Sequence, residues 1–184
     1  MDSKKKQQEP KPVKLEGSCH CGKVKYEVDS YTPVPFMICH CQADTKTAGV
    51  YNCNIMGEYS TFKVKQGNEF VKIYQAKSSE TEAGSKEKDP NKLSEHKRHF
   101  CSECGSYLWA HSSEYEQWVY PFASSIDTPL PVPPEQIHIM TDFKLNHIEI
   151  PKGKHITTFQ RYPTGIEGIE KWHKEHSLYG TYKV

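Results

Sequence analysis

Gly17-Ser18-Cys19-His20-Cys21-Gly22 near the start of the chain and Phe100-Cys101-Ser102-Glu103-Cys104-Gly105 near its middle decide the fold. A zinc ion takes four ligands in a tetrahedron, and thiolates satisfy it at about 2.3 Å. In an extended strand, residues i and i+2 share a face. A C-x-C stretch is therefore expected to direct both sulfurs at one metal, with His20 turned away. C-x-x-C followed by glycine is the turn version, the glycine allowing a positive φ just after the second ligand. One pair of each kind makes a closed all-thiolate site at Cys19, Cys21, Cys101 and Cys104. That site would clip the start of the domain to its middle. A third pair, Cys39-His40-Cys41, has no fourth pair to join, and function is expected there.

The rest of the composition narrows the class. A chain of 184 residues is long enough for one domain with a real core. The 24 Lys and Arg nearly cancel the 23 Asp and Glu, so no global field favours nucleic acid or an anionic membrane. No apolar run approaches the ~18 residues of a membrane span. The opening MDSKKKQQEPKPVK has no apolar core of a secretory signal, and residues 1–14 read as a disordered polar leader. Without secretion, seven cysteines point to reduced thiols and metal rather than disulfides. A cytoplasmic setting follows, with the nucleus as a second compartment.

Residues 15–184 read as one mainly β domain. Lys23 to Val28 alternates as a half-buried strand. Further strands are expected over Val34–Cys41, Tyr51–Met56, Phe62–Lys65, Phe70–Tyr74, Arg98–Phe100, Tyr107–Ala110 and Gln117–Phe122. Short strands with glycine breaks suggest antiparallel sheets, and Pro121 suggests an edge. From Lys77 to Lys97 the chain is polar and reads as a solvated insertion. The run Pro129 to Pro134 is expected as an extended connector. Thr164-Gly165-Ile166-Glu167 has the form of a capping box opening a short C-terminal helix.

At the motifs Gly17 to Glu27, Cys39-His40-Cys41 and Phe100 to Leu108, the chain resembles the glutathione-dependent formaldehyde-activating family, which includes the centromere protein V group. The resemblance runs from about residue 15 to 110 and implies a β-tent fold. It also implies a structural zinc on Cys19, Cys21, Cys101 and Cys104. A second, more open zinc is implied on Cys39, Cys41 and a third cysteine three residues later. This chain has Asp44 there. Two readings stand. A carboxylate carries the charge of a thiolate and binds zinc at about 2.0–2.2 Å, giving a more Lewis-acidic and less tightly held metal. Alternatively, the replacement abolishes the second metal.

Cys39, Cys41 and Asp44 are thus the candidate catalytic shell. The implied activity is carbon–sulfur lyase chemistry on adducts of glutathione or a similar small thiol. The alternative is a non-catalytic zinc-ribbon module for protein or chromatin. Cys53 reads as a buried core thiol, with a replacement ligand or reactive thiol as the other assignments. His20 and His40 are expected to play structural or solvent-facing roles. His99, His111 and the His173/His176 pair are weaker candidates for a pocket or a metal. Tyr107, Trp109, Trp118 and Tyr120 read as core aromatics, some of which would line a cleft. Changing Asp44 is expected to leave the fold nearly intact, whereas losing a ligand of the four-cysteine site should unfold it.

Overall fold

In the computed structural model, which describes residues 9–78, 89, 91–163 and 168–184, three small sheets are accompanied by two short α-helices. β1 (Val13–Ser18) and β2 (Lys25–Ser30) form an antiparallel hairpin with Leu15 opposite Val28 and Gly17 opposite Tyr26. The alternation seen in the sequence buries Tyr26, Val28 and Ser30 and leaves Lys25 outside. β5 (Lys63–Gln66) adds to the free edge of β2.

β4 (Gly57–Glu58), β6 (Val71–Lys77), β7 (Leu93–Cys101), β8 (Tyr107–Ser112) and β9 (Trp118–Pro121) make a five-stranded antiparallel sheet in the order β4-β9-β8-β7-β6. The third sheet differs from the antiparallel expectation. β3 (Met37–Cys39), β10 (Gln136–Ile139) and β11 (Ile156–Thr158) pair in parallel, in the order β11-β10-β3. Neither β10 nor β11 was legible as a strand, because three or four residues carry too little periodicity.

Several local expectations also change. Cys19 to Gly22 is a turn rather than a strand, closed by the Gly22 N–H donating to Cys19 O at 2.9 Å. The strand expected over Val34–Cys41 shrinks to β3, because Cys41 caps helix α1 (Gln42–Ala48). Tyr51–Met56 makes only isolated bridges, among them Ile38 with Cys53 and Asn54 with Phe122. β9 is an interior strand. Pro121 is its last residue, beyond the two-residue partner β4, so its missing N–H breaks no ladder bond. The polar insertion is shorter than expected, since β6 runs to Lys77 and β7 starts at Leu93; residues 79–88 and 90 lie outside the described residues. The capping box at 164–167 and most of the leader (1–8) lie outside them too.

The core has two parts, and each meets one cysteine cluster. One contains Leu15, Val24, Tyr26, Leu108, Trp109 and Val119 together with Cys19 and Cys101. The other contains Val34, Phe36, Ile137, Ile139 and Trp172 together with Cys41. Helix α2 (Gly168–Glu175) closes the second part. Its Trp172 stacks on Phe36 at 3.8 Å between ring centres. The neighbouring His173 is wholly buried. Its Nε2 accepts from the Val34 N–H at 3.1 Å, and its Nδ1 donates to Ile169 O at 2.8 Å.

Candidate metal centres

The first centre joins two turns. The Gly22 and Gly105 turns both take φ of +73°, a conformation that side chains rarely adopt. The Gly105 N–H donates to Cys101 O at 2.8 Å, mirroring the bond that closes the Cys19 turn. The His20 N–H reaches across to Ser106 Oγ at 3.0 Å and ties one turn to the other. The four sulfurs of Cys19, Cys21, Cys101 and Cys104 lie within 4.8 Å of one another. Cys19 Sγ is 3.4 Å from Cys21 Sγ, which is 3.9 Å from Cys101 Sγ. A tetrahedron of thiolates around zinc sets sulfurs about 3.8 Å apart. The cage is thus of the right size and donor type for a metal ion, and no described cysteine is in a disulfide. The Val24 N–H donates to Cys19 Sγ at 3.2 Å, which favours thiolate. Burial raises the Cys104 thiol, but hydrogen bonding by Ser106 and Cys21 together outweighs it and brings Cys104 down to about 6.

The second centre forms where β3 runs into α1. Cys41 is the N-cap, and its Sγ accepts from the Asp44 N–H at 3.3 Å. An N-cap side chain and the one three residues on lie together at the start of a helix. This local geometry turns the C-x-x-D spacing into proximity. Cys39 Sγ, Cys41 Sγ and a carboxylate oxygen of Asp44 lie within 4.8 Å of one another. Two thiolates and a carboxylate make a three-donor set that can hold a metal with a position open. Hydrogen bonding with Cys41, then burial, push the metal-free Cys39 thiol well above its ordinary value.

Arg98 on β7 completes this centre and was not singled out in the sequence. Its Nη2 donates to Asp44 Oδ1 at 2.8 Å, with the two side chains only 7% and 9% exposed. Asp44 therefore keeps one oxygen, Oδ2, free of Arg98. No local pattern marks Arg98, which is joined to Asp44 only by folding. His40 is buried, not solvent-facing. Its Nε2 lies 2.9 Å from Nδ1 of His138 on β10, which is also buried and was likewise missed.

Cys39, Cys41 and Asp44 line a cavity of about 790 Å³. Its walls include Met37, Asn54, Tyr107, Trp118, Tyr120 and Tyr162. Tyr107, Trp118 and Tyr120 are thus cleft residues, while Trp109 packs in the core between Tyr26 and Phe62. Cys53 is buried, and burial pushes its thiol up to about 12. It joins neither sulfur cluster among the described residues. His99 stacks on Trp109 and His111 on Tyr59, away from the cavity lining. His173 and His176 do not form a metal pair. The first clamps Val34 to α2, and the second meets Glu135 at 3.3 Å.

The family model described as glutathione-dependent formaldehyde-activating enzyme matches residues 14–142. A protein of Halomonas elongata, provisionally named a glutathione-dependent formaldehyde-activating enzyme, is 40% identical over 166 residues. The match covers 89% of this chain and 97% of that relative. A crystal structure of a Rhodobacter sphaeroides protein is similar at 21% identity and a TM-score of 0.45, covering 63% of this chain and 91% of the other. Among the described residues, no helix is long and apolar enough to cross a membrane.

Proposed function

The chain belongs to the glutathione-dependent formaldehyde-activating enzyme family, and we propose that it is a zinc-dependent carbon–sulfur lyase. Its substrates are adducts between an aldehyde and glutathione or a similar small thiol. The observation that carries this reading is the three-donor set of Cys39, Cys41 and Asp44 on the wall of a large cavity. A closed structural site has four protein ligands, whereas a site that does chemistry leaves a position for substrate. The four-cysteine cage is the structural zinc site of this reading, and the second cluster is the catalytic one.

Zinc bound at the second cluster would supply a Lewis acid that keeps a substrate sulfur as thiolate near neutral pH. Cys39, Cys41 and Asp44 act as its holders and not as nucleophiles. Arg98 fixes the Asp44 carboxylate through Oδ1 and offsets the negative charge gathered by three anionic side chains. The aromatic wall of Trp118, Tyr120 and Tyr162 offers apolar surface beside the reacting atoms. A cavity of this volume is large enough for a molecule of tripeptide size. A cytoplasmic setting is part of this reading, since a glutathione-using enzyme suits it.

The test is turnover of a panel of glutathione–aldehyde adducts, formaldehyde's among them, by zinc-loaded protein. Carbon–sulfur bond formation or cleavage is expected for at least one adduct, and Cys39→Ser should abolish it while the fold survives. No turnover across the panel, together with saturable binding to a protein or chromatin ligand, would establish the interaction module instead.

A further inference from the structure

Three hydrogen-bond donors beside the second cluster have no acceptor among the described residues. Arg98 uses only Nη2 on Asp44; its Nε and Nη1 are buried without a partner, as is the hydroxyl of Tyr107. Both residues are more than nine-tenths buried. They stand near each other on neighbouring strands, since Tyr107 pairs with Phe100, two residues beyond Arg98. Both line the cavity that holds Cys39, Cys41 and Asp44. Buried donors nearly always find an acceptor, and a guanidinium has no other use for its N–H groups. The other orphaned nitrogens among the described residues, on Asn52, His99, His111 and His138, lie off this cavity's lining.

We infer that the Tyr107 hydroxyl and an unpartnered N–H of Arg98 form a receptor for the substrate oxygen, the atom that gains negative charge as the carbon–sulfur bond forms. This deepens the proposed function and rests on it. In the addition direction, the thiolate sulfur gives its electron pair to the aldehyde carbon, and the carbon–sulfur bond forms. The π pair of the C=O bond moves onto oxygen, which solvent then protonates. Fixed donors aimed at that oxygen stabilise the charge as it appears. In the reverse direction the oxygen loses its proton, the C=O bond re-forms and sulfur leaves with the pair. Asn54 Oδ1, also unpartnered and on a cavity-lining residue, is an acceptor of the kind the adduct's hydroxyl proton needs.

Formate, a one-carbon oxyanion, probes the receptor without turnover. It is titrated into zinc-loaded wild type, Tyr107→Phe and Cys39→Ser and followed by tryptophan fluorescence, with thermal unfolding run alongside. Tyr107→Phe removes an oxygen that bonds nothing among the described residues, so its melting should match wild type. Its formate affinity should fall about tenfold, while Cys39→Ser keeps affinity within about threefold. Unchanged affinity in Tyr107→Phe, loss of binding in Cys39→Ser, or no binding by wild type would each overturn the inference. On any adduct that wild type turns over, Tyr107→Phe should lower kcat about 100-fold with KM unchanged. If wild type turns over none, the lyase reading fails, and the formate titration still decides the receptor.

Discussion

Arg98 donates to Asp44 Oδ1 at 2.8 Å inside the protein, so the residue that departs from the three-cysteine pattern is tied to a buried guanidinium from the five-stranded sheet. The sequence suggested that Asp44 serves only the second cluster and can be changed with little effect on the fold. The pairing makes it structural as well.

Asp44→Ala should therefore destabilise the protein by about 3–5 kcal/mol, because it leaves Arg98 buried without its counter-ion. The double variant Asp44→Ala/Arg98→Met should recover most of that loss. Denaturant unfolding of both singles and the double gives the coupling; strict additivity would show that the pair contributes nothing.

Metal content should separate the two centres. Purified protein is expected to hold two zinc ions per chain, and Cys39→Ser one. Cys101→Ser should lose the fold of the β1–β2 hairpin and its neighbours, because Cys101 joins Cys19 in one core. Elemental analysis with circular dichroism checks this; a well-folded Cys101→Ser that melts like wild type would contradict it.

Acid should weaken the clamp at His173. Burial lowers this imidazole from 6.5 to about 4, and its Nε2 must stay unprotonated to accept from the Val34 N–H. Between pH 4 and 6.5 the unfolded chain binds a proton that the folded one refuses. The contribution is therefore whole above pH 6.5 and is lost as pH falls towards 4, with a span of roughly 3 kcal/mol. His173→Gln should be less stable at pH 7 yet lose less on acidification. Equal acid slopes for the two proteins, measured by denaturant midpoints, would assign the effect elsewhere.

Gly17 has no room for a side chain. A Cβ there would lie 2.3 Å from Tyr26 Cζ, 2.4 Å from Tyr26 Oη and 2.6 Å from the Ser125 carbonyl oxygen. Gly17→Ala should lower stability by about 1–3 kcal/mol through displacement of Tyr26. A melting temperature equal to that of wild type would mean the hairpin shifts freely at this point.

Local chemistry made part of this protein readable from its residues alone. Each cysteine pair announces two sulfurs set close together, and alternation announces β2, because both signals lie within a few neighbouring positions. Asp44 beside Cys41 belongs to the same class, since one helical turn brings them together. The ion pair of Asp44 with Arg98, the contact of His40 with His138 and the parallel sheet of β3, β10 and β11 carry no such local mark. The two side-chain pairs join residues 54 and 98 apart, and β10 meets β3 across 100 residues. Burial energy and hydrogen-bond satisfaction act there through space, so only the folded chain decides which donors are used and which are left unpartnered beside the cavity.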